Sequence, residues 1–221
     1  MSRVTHISPT DRRKVTEAIT KAERSTSGEI MVVAAMQSDE YLHVPLHIAT
    51  AVALAVPFLL PFAAVVFPWA AVSVWTTFAV QLTTFIIVAL VLSLPALRYA
   101  VTPKRMMFKY AHRNAAAQFL AVNAHTTAGR SGILIFVSLL EHYCELVGDA
   151  AIGAKVKPAE WQAMVNEMLP VLRQGRTADA LVLAVERAGG LLATHFPPGP
   201  TDSNELPDRF IVVGDRERSA P

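Results

Sequence analysis

The sequence predicts an α/β chain: a small α/β sandwich of three main strands, with one parallel and one antiparallel pairing, covered by helices and interrupted by an inserted transmembrane helical hairpin. Three observations lead there. Short apolar runs of strand length recur at residues 29–36, 131–138 and 143–149. Segments with apolar residues at helical spacing flank them on both sides. Between the first and second strand, no Asp, Glu, Lys or Arg occurs from Tyr41 to Leu97, a stretch too long and too apolar for one buried core helix.

The first element is a helix over "SPTDRRKVTEAITKAERST". Ser8 is its expected N-cap, Pro9 fits the first helical position, and Asp11 stands where the acid of a capping box belongs. Val15, Ala18, Ile19 and Ala22 form its apolar face, and Ser27-Gly28 ends it. "EIMVVAAM" then reads as a buried strand. A lone strand leaves its edges unpaired, so its partners are expected beyond the uncharged stretch.

That stretch divides into two apolar runs, at about 45–67 and 75–97, each of about 34 Å if wholly helical. Trp69 and Trp75 flank the turn between them, and Pro57 and Pro61 fall within the first run. Arg98, Lys104, Arg105, Lys109 and Arg113 follow the second run with no acid among them, which predicts lipid-headgroup contact and a cytoplasmic side for both flanking parts. The expectation is therefore a two-pass protein of the cell inner membrane with both termini cytoplasmic. Its partners would be the lipid bilayer and a membrane or membrane-associated protein. The same basic run is not read as a nucleic-acid patch, because headgroup contact accounts for it.

Beyond the hairpin, Thr102 and Pro103 open a helix reaching toward His125, with Phe108, Ala111, Ala115, Phe119 and Val122 on one face. "SGILIFVS" and "YCELVGD" follow as strands joined by Leu139 to His142, short enough for an antiparallel hairpin. The first crossover contains a helix, so strands one and two can pair in parallel. In "KPAEWQAMVNEMLPVLRQG", Trp161, Met164, Val165, Met168, Leu169 and Leu172 make one broad apolar face, and Gly175 closes the helix. A last helix covers "TADALVLAVERAGGLLATHF". The predicted organisation is 1–42 as the first part of the domain, 43–98 as the hairpin, 99–194 as the second part, and 195–221 as a flexible tail in which "RFIVV" can dock. No signal peptide is expected at the N-terminus, and one cysteine, Cys144, precludes an intrachain disulfide.

The elements "SGEIMVVAA", "GRSGILIFVS", "YCELVGD" and "MLPVLRQGRTADALVLAVERAGGLL", in that order, resemble the TPM domain family, whose namesakes are a thylakoid lumen protein, a photosystem II repair protein and a nematode receptor modulator. The chain looks like a bacterial, membrane-anchored member. The resemblance implies an α/β sandwich. Some plant members are associated with acid phosphatase activity and calcium, so it also implies acids at strand ends as a site; Glu29, Glu141 and Asp149 are the positions that match here. Many bacterial members carry the domain outside the cytoplasm, and the split domain and basic flank depart from that arrangement.

From strand direction, Glu29 and Asp149 are expected at one end of the sheet and are the candidate metal pair; calcium is the cofactor that the resemblance implies. Glu141 and His142 form a candidate polar site in the hairpin turn, against the alternative of a solvated turn. Cys144 reads as a small buried hydrophobe, since no activating group stands near it in sequence. No zinc spacing and no phosphate-binding glycine loop occurs. The resulting expectation is a non-catalytic interaction or scaffold domain; the alternative is a phosphatase-like hydrolase with a weak calcium site.

Overall fold

A computed structural model describes residues 7–66, 73–122, 130–199 and 210–214. The chain forms two compact units, Met1–Ser38 with Phe108–Pro221, and Asp39–Met107.

The first unit is a four-stranded mixed sheet with helices on both faces. Its strands are β1 (Glu29–Ala35), β2 (Gly132–Ser138), β3 (Tyr143–Gly148) and β4 (Phe210–Val213), in the order β3-β2-β1-β4. β1 pairs in parallel with β2, Glu29 opposite Gly132 through Ala35 opposite Ser138. β2 and β3 are antiparallel, with Ile133 opposite Gly148. The sequence reading had three strands; the fourth is supplied by Phe210–Val213, from within the expected tail, which pairs in parallel with β1 from Val32 onward. Its β-branched and aromatic residues suit a pleated surface, and they satisfy the backbone groups that β1 would otherwise leave open.

Alternation along the strands sends side chains to two cores. Ile30, Val32, Ala34, Ile133, Ile135 and Val137 face α1 (Pro9–Glu23), α7 (Pro158–Arg173) and α8 (Thr177–His195), meeting Val15, Ile19, Met168, Leu181, Val185 and Leu192. Met31, Val33, Ala35, Leu134 and Phe136 face α5 (Lys104–Ala121) through Ala115 and Phe119. All seven residues of β1 and of β2 are buried, so these strands read as continuous apolar runs. The expected capping box at α1 is present: Ser8 Oγ accepts the Asp11 N–H, and the Asp11 carboxylate accepts the Ser8 N–H, both at 3.1 Å. α7 ends at Gly175, whose φ is 76°; its N–H reaches Leu172 O at 2.9 Å and the next N–H reaches Val171 O at 3.3 Å, the hydrogen-bond pair of a Schellman ending. A short helix not foreseen from sequence, α6 (Ala150–Lys155), is capped by Asp149.

The second unit contains α2 (His43–Val66), α3 (Val74–Ser93) and α4 (Pro95–Val101), with α2 packed along α3. Ser73 caps α3 through a box with Thr76. Among the described residues, α3 alone is long and apolar enough to cross a bilayer; the apolar helical stretch His43–Leu59 is shorter than a span. This corrects the expectation of a two-pass protein of the cell inner membrane with both termini cytoplasmic. The second run is also shorter than expected: the Pro95 ring disfavours helical geometry at Leu94, which sits at φ −58°, ψ 130°, so 75–97 forms two helices rather than one. Trp69 and the turn around it, the end of the α5 segment at His125, and the remainder of the tail at 200–209 and 215–221 lie outside the described residues.

Candidate functional site

The carboxylates expected to share a site do lie at one end of the sheet. Glu29 is opposite Gly132, and Asp149 donates its N–H to Gly132 O at 2.9 Å, so the three occupy one register row with Gly132 between the acids. Both acids are buried, and their backbones are two strand spacings, about 10 Å, apart. The Asp149 carboxylate is engaged locally. Oδ1 accepts the Ala150 N–H at 2.7 Å as the cap of α6, and Oδ2 lies 2.9 Å from Arg130 Nε in an ion pair. Calcium takes six to eight oxygen ligands. A carboxylate already capping a helix and paired with a guanidinium, two strands from the next acid, does not fit that requirement. Among the described residues no group of three or more His, Cys, Asp or Glu could hold a metal ion.

Glu141 and His142 differ in burial as well as in role. Glu141 is buried in the β2–β3 turn, where Oε1 accepts the Ser38 N–H at 2.8 Å and Oε2 accepts the Ser138 hydroxyl. Ser38 and Ser138 hydroxyls are also within 2.8 Å of each other. The carboxylate therefore ties the turn to the chain leaving β1. His142 is exposed and holds φ at 50°, the left-handed geometry a tight turn requires. Of the five basic residues, Lys104, Arg105, Lys109 and Arg113 are exposed on α5, with Arg105, Lys109 and Arg113 at four-residue spacing on one face. Arg98 lies in α4, its guanidinium 5.4 Å from the Tyr99 ring centre.

A further cluster escaped the sequence reading. Along β3, a groove of about 490 Å³ is bordered by Phe108 of α5 and by Pro158, Trp161, Gln162, Val165 and Leu169 of α7. On the α5 side, the Glu145 carboxylate lies 2.9 and 3.0 Å from His112 Nδ1 and accepts the Tyr143 hydroxyl at 2.8 Å. Phe108 stacks at a tilt on Tyr143, ring centres 5.5 Å apart. Burial, followed by the hydrogen bond to Glu145, pushes the Tyr143 phenol well above its usual range. On the α7 side, Cys144 packs its sulfur 3.6 Å from that of Met168. Burial, with the nearby Glu145 charge second, pushes its thiol up to about 12. A thiol that stays protonated is a poor nucleophile, so this cysteine acts as packing. The alternation of Tyr143 and Glu145 with Cys144 and Leu146 was the available sequence signal: it marks a strand with one polar and one apolar face. What brings His112 to Glu145, 33 residues on, is the docking of α5 on the sheet.

No protein-family profile matches the chain, and no curated protein does. Among solved structures, the NMR structure of BA42 protein from the psychrophilic bacteria Bizionia argentinensis aligns with a TM-score of 0.58 at 19% identity, over 96% of this chain and 99% of that one. At that identity the likeness shows a shared fold.

Proposed function

We propose that the chain is a lipid-associated interaction domain of TPM type, with a non-catalytic α/β unit and an apolar unit that sits in lipid. The carrying observation is the outward-facing surface of Asp39–Met107. Phe58, Phe62, Val65, Val74, Trp75 and Leu90 are each at least two-thirds exposed, on helices that hold no charge before Arg98. Apolar surface on that scale is costly in water and neutral in a hydrocarbon layer. The exposed bases of α5 suit phosphate-bearing headgroups. The fold-level likeness to BA42 supports the TPM-type reading of the architecture. A non-catalytic role is supported by the engaged state of Asp149 and Glu141, which hold helix and turn.

Flotation of the full chain with vesicles tests this. Protein is expected to rise with both neutral and anionic vesicles. Phe58→Asp/Phe62→Asp/Trp75→Asp should remain at the bottom, and Lys109→Glu/Arg113→Glu should weaken the anionic arm alone. A wild-type chain that stays monodisperse without detergent and does not float would sink the lipid reading. Phosphate-ester hydrolysis with and without calcium tests the other half: turnover that disappears in Glu29→Gln/Asp149→Asn would establish the hydrolase instead.

A further inference from the structure

Among the described residues β3 is an edge strand, bonded on one side to β2. The direction of its backbone groups follows from two hydrogen bonds. Asp149 donates to Gly132 O directly across the ladder, so Gly132–Asp149 is a hydrogen-bonded pair. Glu29 donates to Ser131 O, which places the odd-numbered residues of β2 toward β1 and the even-numbered ones toward β3. Alternation then turns the N–H and C=O of Tyr143, Glu145 and Val147 inward to β2. Those of Cys144, Leu146 and Gly148 point out of the sheet, and among the described residues no backbone partner meets them.

Exposed edges are commonly blunted by lysine, proline, a bulge or a covering element. β3 has none of the first two, pairs with β2 without a bulge, and opens on the groove described above. Its one charge, Glu145, is held by His112 and Tyr143, with its side chain 22% exposed.

We propose that this edge binds an extended segment of a partner protein, added antiparallel to β3 as a fifth strand. The inference rests on the interaction-domain reading and names its site. The outward amides and carbonyls of Cys144, Leu146 and Gly148 supply the main-chain recognition. Side chains on the added strand share a face with the residues they oppose. Those opposite Cys144 and Leu146 meet Trp161, Val165 and Leu169, so they are apolar. The one opposite Glu145 meets a carboxylate whose near partners are a histidine and a phenol, so it is a lysine or arginine. The occupant is thus a strand with an apolar–basic–apolar alternation.

The test uses the full chain in detergent micelles and a fluorescent nine-residue peptide alternating Val and Lys, free in solution. Saturable anisotropy is expected, with slowed amide exchange at Cys144, Leu146 and Gly148. N-methylation of the peptide amides facing β3 should weaken binding at least about tenfold, while N-methylation of the opposite set should leave it intact. Replacing the peptide lysines by glutamate should weaken binding, and Glu145→Gln should erase that difference. These variants leave the β2 ladder untouched, so loss of folding is not a confounder. Equal loss from both N-methyl series, or no binding, would overturn the proposal. So would protection of the three amides that appears without peptide and grows with protein concentration, which would make a second copy the occupant. A chain that floats yet ignores the peptide sinks the edge site alone; one that binds the peptide yet never floats sinks the lipid reading alone.

Discussion

The two units use the same residue types in opposite directions. In the α/β unit Ile30, Ile133, Leu134, Ile135 and Phe136 are wholly buried between helices. In the helical unit Phe58, Leu59, Phe62 and Leu90 are more than half exposed, and α3 has no buried residue. What distinguishes them is which surface has somewhere to go. A sheet with two apolar faces recruits helices to both. A pair of helices apolar all round buries one stripe against its neighbour and presents the rest to its surroundings. The first arrangement takes its apolar surface out of water; the second leaves much of it exposed.

The sharpest test of that contrast is a matched pair of deletions. Ile135→Ala, in the centre of β2, is expected to lose about 2–5 kcal/mol. Ile87→Ala, on a residue 55% exposed in α3, should change stability by less than about 0.5 kcal/mol. Thermal melts of the full chain in detergent measure both, and equal losses would break the comparison. A second pair lies on adjacent residues of α8. A Cβ at Gly189 would stand 2.7 Å from Ala22 Cβ of α1, while at Gly190 nothing lies within 4 Å. Gly189→Ala should therefore cost about 1–3 kcal/mol by overpacking, and Gly190→Ala should gain about 0.5–1 kcal/mol from reduced backbone freedom.

Smaller effects come from ionisation. The Cys144 thiol, pushed up to about 12 by burial, is neutral in the folded state where an unfolded thiol ionises near about 8.5. Its contribution is complete below that unfolded value and declines as pH rises through the window up to about 12. Iodoacetamide labelling near pH 9 should accordingly be slow when folded and fast in denaturant. At the surface, hydrogen bonds from Lys14 and then Arg176 hold the Asp179 carboxyl below its usual value. A lowered carboxylate stabilises above its unfolded pKa, and the effect is lost as pH falls through the folded one. Asp179→Asn should flatten that acid limb slightly in pH-dependent melts, the smallest change expected here.

Much of the fold was legible because its signals are local. Ser8, Pro9 and Asp11 announce the start of α1, and Gly175 announces the end of α7. The apolar runs of β1 and β2 show burial on both faces, and a four-residue link makes β3 antiparallel. Glu29 and Asp149 were placed at one end of the sheet by strand direction alone. The reading of 75–97 as one helix missed a local signal as well, since Pro95 divides α3 from α4. The groove along β3 was not legible, because its walls come from α5 and α7 and meet only when both helices dock. The role of Glu141 was hidden for the same reason: the turn composition shows a polar residue, but the Ser38 amide that it binds is 103 positions earlier.

Sequence alone settled α1, β1, β2, β3, α7 and α8, since these depend on periodicity and on caps a few residues long. Tertiary structure decided that, among the described residues, Phe210–Val213 closes one edge of the sheet while β3 remains the other, and that Asp149 caps a helix and pairs with an arginine. Those outcomes depend on which backbone groups and charges find each other across long separations, and spacing along a chain carries no record of that.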